Sequence, residues 1–335
     1  MLAGGDGRRL RSLVRVVHGD DRPKQFAAPD EGEPLLRRTL RRLRWLVPPE
    51  RTILVTRRDH DHYVQEALAG QSPPHLFAQP EDRGTVAAIL WPAQWVAATD
   101  PGAVVAVIPS DHFVDDDQAF VDHIRAVVSA LPDARRTILL GARPTSADPG
   151  YGWIELAQPI RGLGGDLFGV RSFIEKPAPT RAEQCFRRGD LWNTMVVVAR
   201  ASALSELVRT ALPSVGIALS QIVRTADGAS RQVKRAYSAC PTADFSHHVL
   251  ETGPDRLLVS RLPALSWADW GTPERVFRSL ADAGVRPRWA GSVALGPSAL
   301  SPRGTHEVDA LGAAAGESLA AQDPEPGLDL VHPGR

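Results

Sequence analysis

The chain has 335 residues, 43% of them apolar, a formal charge of zero and two cysteines. That is apolar material enough for one large α/β domain or two smaller ones, while the charge balance gives no general attraction to nucleic acid. Cys185 and Cys240 support neither a disulfide framework nor a cysteine-built zinc site, the stretch Val86 to Thr99 is too short and too interrupted by Pro92 and Gln94 to cross a bilayer, and the N-terminus has no signal-peptide hydrophobic region, so the sequence reads as cytoplasmic with no membrane partner.

The first element is a glycine turn, Gly4-Gly5-Asp6-Gly7, preceded only by Met1, Leu2 and Ala3. Such turns present backbone N–H groups to phosphates and are normally fed by a buried strand. The dinucleotide fingerprint fails here at Leu10, and the P-loop fails at Gly7-Arg8-Arg9. Next comes RPKQF at Arg22–Phe26, holding Lys24, one of only three lysines among 39 Lys and Arg residues. A chain that uses arginine elsewhere keeps lysine where a compact ammonium is needed. Glu33–Trp45 has helical spacing with arginines on a solvated face.

Short β-branched runs then alternate with amphipathic stretches, the pattern of a mixed, mostly parallel sheet flanked by helices. Strands are predicted at Thr52–Thr56, Ala103–Ile108, Thr137–Gly141, Val170–Glu175 and Met195–Ala199, and helices at Gln118–Leu131, Arg181–Arg188 and Ala201–Leu212. PSDH at Pro109–His112 follows an apolar strand, where ligands gather in open α/β sheets. Asp115-Asp116-Asp117 suits a helix N-terminus, and the glycine run at Gly162–Gly165 suggests a hairpin or loop. The histidine pairs His60/His62 and His247/His248 lack metal-helix spacing. WADWG at Trp267–Gly271 sets Asp269 in aromatic surroundings, where a lone carboxylate is costly and calls for a partner or a metal. Residues 1–296 read as one domain and residues 297–335, small, polar and punctuated by Pro and Gly, as a disordered tail.

LAGGDGRRL, PKQF, QPEDRGTVAAI at Gln79–Ile89, PSDH, GYG at Gly150–Gly152, FIEKP, LWN at Leu191–Asn193 and WADWG occur in the order seen in sugar-1-phosphate nucleotidyltransferases. The chain resembles most the mannose-1-phosphate guanylyltransferase branch, over roughly residues 1–282. The resemblance implies a Rossmann-like nucleotide-diphospho-sugar transferase fold and transfer of GMP from GTP onto a hexose 1-phosphate such as mannose 1-phosphate, with Mg²⁺. It implies that Gly4, Gly5 and Gly7 cradle the triphosphate, that Arg9 and Lys24 stabilise the departing pyrophosphate, and that Asp111 and Asp269 hold the metal. It further places Gln79, Gly84 and Thr85 at the base and ribose, Glu175 and Asn193 at sugar hydroxyls, Gly152 near the sugar and Lys176 on its phosphate.

In that fold the strand feeding the glycine loop is central, so the expectation is that Met1 lies inside the first strand, with further apolar residues ahead of it. Arg8 stands where the family's loop has Thr, and Thr194-Met195 lacks the glycine expected after Asn193. Another nucleotide or sugar phosphate, and a weakly active nucleotide-sugar-binding regulator, remain open as alternatives, as does a homo-oligomer.

Overall fold

The computed structural model describes residues 1–71, 74–131, 135–160 and 167–291. The glycine run at 162–165 and the tail at 297–335 lie outside the described residues. In chain order the elements are α1 (Arg11–His18), α2 (Leu35–Leu43), β1 (Ile53–Arg57), α3 (Asp61–Leu68), β2 (His75–Gln79), α4 (Gly84–Thr99), β3 (Val104–Val107), β4 (Phe113–Val114) and α5 (Asp117–Ser129). They continue with β5 (Thr137–Ala142), β6 (Trp153–Pro159), β7 (Leu167–Ile174), α6 (Pro179–Arg188), β8 (Leu191–Arg200), α7 (Ala201–Ala211), α8 (Pro213–Leu219), α9 (Arg231–Ser238), β9 (Leu257–Arg261), β10 (Trp267–Ala268) and α10 (Pro273–Asp282).

Six strands form one sheet in the order β3-β8-β5-β9-β7-β6, and β1 pairs in parallel with β2. The N-terminal residues join the two sets, because Leu2 bridges Val55 on one side and Pro109 on the other, both in parallel. Met1–Ala3 therefore occupy a central position, as the sequence leads one to expect of the segment feeding a phosphate loop. The sheet is mixed, and its antiparallel share exceeds what the alternating pattern suggests. The ten-residue β8 runs antiparallel to β3, β5 and β6, while β5 pairs in parallel with β9, a short strand not marked in the sequence.

Side chains alternate across this sheet with the two-residue period of a strand. Leu139 and Val197 pack on the side of α4, α7 and α8, whereas Ile138, Leu140 and Val198 pack on the side of α2 and α5. The apolar stretch too short for a membrane span is α4, buried over most of its length; the fully buried Trp91 lies edge-on to Phe77 and donates its indole N–H to the Thr225 carbonyl at 2.7 Å. Burial of such a ring is worth about 2–3 kcal/mol, and the hydrogen bond removes the cost of its one polar atom. Among the described residues no helix is long and apolar enough to cross a membrane.

Two details bear on the acidic and basic runs of the sequence. The arginine face of α2 is not simply solvated: Arg42 is buried against Phe120 and pairs with Asp117 at 2.5 Å. Asp116, as expected of that acidic run, caps α5 by accepting from the Ala119 amide at 2.9 Å.

Candidate active site

The glycine loop starts where Ala3 leaves the sheet. Gly7 has φ 60°, and a Cβ there would lie 2.8 Å from the Lys24 Cβ, so backbone conformation and space both demand glycine. Gln25, buried, donates its side-chain amide to the carbonyls of Ala3 (2.8 Å) and Gly5 (2.9 Å), fixing the first half of the turn. The sequence reading takes only Lys24 from PKQF as a site residue; the reach of Gln25 back over twenty residues is a tertiary fact.

Lys24 is the meeting point of the distant motifs. Its Nζ lies 3.1 Å from Asp111 Oδ2 and donates to the backbone carbonyl of Asp269. Lys24 and Asp111, together with Asp6, Gly7, Arg8, Arg9, Asp82 and Gly271, line an open cleft of about 580 Å³. Arg8, the bulky charge beside the loop, is mostly solvent-facing and pairs with Asp6 at 3.0 Å. Arg57, at the end of β1, also holds Asp6, at 2.5 Å.

Asp269 has the partner its surroundings called for. Arg275 Nη1 sits 2.9 Å from both carboxylate oxygens, and the Gly271 amide donates to one of them at 2.9 Å. Burial alone would raise the Asp269 pKa, but Arg275 and Lys24 hold it below the ordinary carboxylate value. The same guanidinium binds Asp148 through Nε and Nη2 and lies over the Tyr151 ring at 3.7 Å. Arg275 thus ties the WADWG turn to the GYG loop, a role no local pattern announced.

The residues assigned to the sugar gather separately. A Cβ on Gly152 would fall 2.6 Å from Glu175 Oε2 and 3.3 Å from Asn193 Cβ, and the Asn193 amide donates to the Gly152 carbonyl at 2.8 Å. Lys176 Nζ is 2.7 Å from Glu175 Oε1. Met195, in the Thr194-Met195 pair that lacks the expected glycine, has φ 56°, and Lys176 and Trp270 are also left-handed at 45°. Such conformations in non-glycine residues carry a cost that the surrounding structure must impose.

On the base side, a Cβ on Gly4 would touch Gln79 Nε2 at 3.1 Å, so loop and Gln79 adjoin. Gly84 and Thr85, at the start of α4, pack against the 243–245 segment. Gly84, at φ 75°, lets the Ala243 carbonyl approach to where a Cβ would be 2.3 Å away. The Thr85 hydroxyl donates to Asp244 and accepts from the Phe245 amide at 2.7 Å, closing that segment onto the start of α4.

A hard divalent cation bringing its own phosphate and water oxygens would be met here by Asp111, one oxygen of which lies on Lys24, and by Asp269, both of whose oxygens lie on Arg275; Mg²⁺ is commonly held by one or two carboxylates. Among the described residues no group of three or more His, Cys, Asp or Glu side chains is placed to hold a metal by itself. Ser110 Oγ and His112 Nδ1, flanking Asp111, are buried without a hydrogen-bond partner in the protein. Burial lowers the His112 pKa to about 4, so the imidazole is neutral at pH 7 and adds no competing charge.

Residues 1–283 match the family model described as Nucleotidyl transferase. The chain is 28% identical over 285 residues to the mannose-1-phosphate guanylyltransferase ManC of Salmonella typhimurium and 29% identical over 283 residues to the xanthan biosynthesis protein XanB of Xanthomonas campestris; each match takes in 81% of this chain and 57% of the relative. The chain therefore spans little more than half the length of these curated relatives. Among solved structures, a Thermus thermophilus protein described as mannose-1-phosphate geranyltransferase is similar at 32% identity and a TM-score of 0.70, over 82% of this chain and 77% of that one.

Proposed function

The chain belongs to the nucleotidyl transferase family, and from that premise we propose that it transfers a nucleoside monophosphate, GMP from GTP, onto a hexose 1-phosphate, mannose 1-phosphate. A phosphate oxygen of the sugar phosphate attacks the α-phosphorus in line, the α–β bridging P–O bond breaks, and pyrophosphate leaves with that bridging oxygen. Such a step needs alignment and charge neutralisation more than covalent help. The observation that carries the reading is Lys24, which packs against Gly7 of the glycine loop and carries its ammonium to Asp111 and the Asp269 carbonyl beside one cleft.

In this reading the N–H groups of Gly4, Gly5 and Gly7 orient the triphosphate, and Gln25 keeps them aimed. Lys24 and Arg9 meet the charge that grows on the leaving pyrophosphate, where a fixed cation acts mainly in the transition state. Asp111 and Asp269 would hold Mg²⁺, which when bound draws charge from the phosphate oxygens. Glu175 and Asn193 bind sugar hydroxyls, Gly152 leaves room for the ring, Lys176 takes the acceptor phosphate, and Gln79 with the backbone at Gly84 and Thr85 faces the nucleoside.

A screen of four nucleoside triphosphates against several hexose 1-phosphates, read by pyrophosphate release, tests it. GTP with mannose 1-phosphate should give the highest kcat/KM; another pair in first place would replace the substrates, and release with none would reject the activity.

A further inference from the structure

The segment that Thr85 closes onto the start of α4 continues to the sugar side of the site. Ser246–Leu250 form one π-helical turn, closed by the Glu251 amide donating back to the Ser246 carbonyl at 3.1 Å. Such wide turns are rare and recur at functional sites. This one is anchored by its apolar residues, because Val249 and Leu250 are fully buried in the same cluster as Leu204 and Leu207 of α7. Its polar ends are therefore held in place.

Those ends reach two residues assigned to the sugar. At one end the buried Ser246 hydroxyl accepts from Asn193 Nδ2 at 3.4 Å and donates to Met195 Sδ at 3.1 Å. At the other, Glu251 Oε1 accepts from the Glu175 backbone amide at 2.6 Å, while its Oε2 lies 2.7 Å from His247 Nδ1. The carboxylate is thus fixed from both sides. Glu175 is the first residue past β7, whose pairing with β6 ends at Ile174 opposite Trp153, so a side chain takes its amide where a neighbouring strand no longer does. Lys176, the next residue, is left-handed at φ 45°, a conformation that a non-glycine residue keeps only where its surroundings impose it. A hydrogen bond from an amide to a carboxylate is among the stronger contacts able to do so.

We propose that Glu251 is a positioning residue for the sugar-phosphate side of the site. It holds the backbone from which the Glu175 carboxylate and the Lys176 ammonium are presented, and through them it sets the affinity for the sugar phosphate. What it supplies is an acceptor oxygen at a fixed reach, since a supporting group that shifts by a fraction of an ångström misplaces everything it carries. A merely structural role predicts something else. The same segment is tied to Thr85 on the nucleoside side, so general loosening would weaken both substrates alike. The proposal rests on the reading of Glu175 and Lys176 given under the proposed function.

The test titrates each substrate of the pair that the unaltered full chain turns over fastest, in that chain and in Glu251→Ala, Glu251→Asp and Glu251→Gln. Ala removes the acceptor, Asp draws it back by one methylene with the charge kept, and Gln keeps an oxygen at the same reach without the charge. Ala and Asp should raise the KM for sugar phosphate about tenfold and change that for the nucleotide by less than about twofold, and Gln should recover most of the loss. Amide exchange at Glu175 should speed up at least about tenfold in Ala and Asp but not in Gln. Should the Ala variant fail to fold, the contrast between Asp and Gln carries the decision. An unchanged sugar-phosphate KM in Asp, both KM values rising together, or Gln no better than Asp would overturn the proposal. No pyrophosphate release from the unaltered chain with any pair would reject the activity instead, and exchange at Glu175 would then decide alone whether Glu251 holds that backbone.

Discussion

The two ends of residues 1–7 meet opposite environments between the same pair of strands. Beyond Ala3 the chain enters a cleft lined by the pair Lys24 and Asp111, with the pair Asp269 and Arg275 beside it. At the other end Met1 and Leu2 border an apolar cavity of about 510 Å³, lined also by Leu43, Ile89 and Val105, where burial disfavours the charge of the terminal amine. The carboxyl ends of parallel strands, with their turns and helix N-termini, can carry chemistry; the amino ends contribute burial. Changes at one end should therefore move turnover and those at the other stability.

For the chain that starts at Met1, the largest effect expected is a pH dependence at this buried end. Burial lowers the pKa of the terminal amine from 8.0 to about 5. Below pH 8 the unfolded chain takes up a proton on the amine that the folded chain refuses until about pH 5, so this contribution is full above pH 8 and is lost as pH falls to 5. A shift of that size corresponds to as much as about 4 kcal/mol. N-terminal acetylation removes the ionisable group, and urea melts of acetylated and free chains should diverge across that window. Parallel curves would mean the amine is solvated and the contrast between the two ends is overstated.

At the cleft end, Arg275→Ala strands Asp269 and Asp148 and should cost about 3 kcal/mol of stability, while Arg275→Lys, keeping charge but not the two-sided fork, should recover part of it. Arg275, which joins two loops beside the cleft, is expected to act on stability as strongly as on activity. A neutral Arg275→Ala in urea melts would show the two loops to be held by other contacts.

Asp111→Asn should lower turnover by about a hundredfold, roughly 2.7 kcal/mol of barrier, with little change in melting. Asp269→Asn should match it in turnover but also weaken the pairing with Arg275. The double change should fall well short of the product, because either alone disables one site. Magnesium activation curves decide the metal assignment: an unshifted curve for Asp111→Asn removes that residue from it.

The smallest effect separates the two lysines within the chemical end. Lys176, exposed beside Glu175, should on change to Ala raise the KM for sugar phosphate about tenfold and leave that for GTP alone. Lys24→Ala should lower kcat instead. A matching change in both KM values, with kcat intact in both variants, would erase that division.

Much of this was legible along the chain. The strands around Thr52–Thr56, Ala103–Ile108 and Thr137–Gly141 and the helices at Arg181–Arg188 and Ala201–Leu212 appear within a few residues of the predicted bounds, because period and β-branching are local properties that packing reinforced. The sequence marks Thr194-Met195 as lacking a glycine expected soon after Asn193, and in the structure Met195, with φ 56°, takes a conformation that favours glycine. The family signature emerged for the same reason: glycine turns, PKQF and WADWG are short runs whose residue types already state a backbone or charge requirement.

What the sequence determined by itself was most of the elements, the order of the motifs and the need of Asp269 for a partner. Only the tertiary structure decided that the partner is Arg275, that Gln25 clamps the glycine turn, and that the Thr85 hydroxyl closes the 244–245 segment. Each of these depends on how the elements come together in space rather than on a local pattern of residues. Hydrogen bonds and cavities depend on distances of a few ångströms set by the whole sheet and its helices, whereas periodicity depends only on neighbours along the chain.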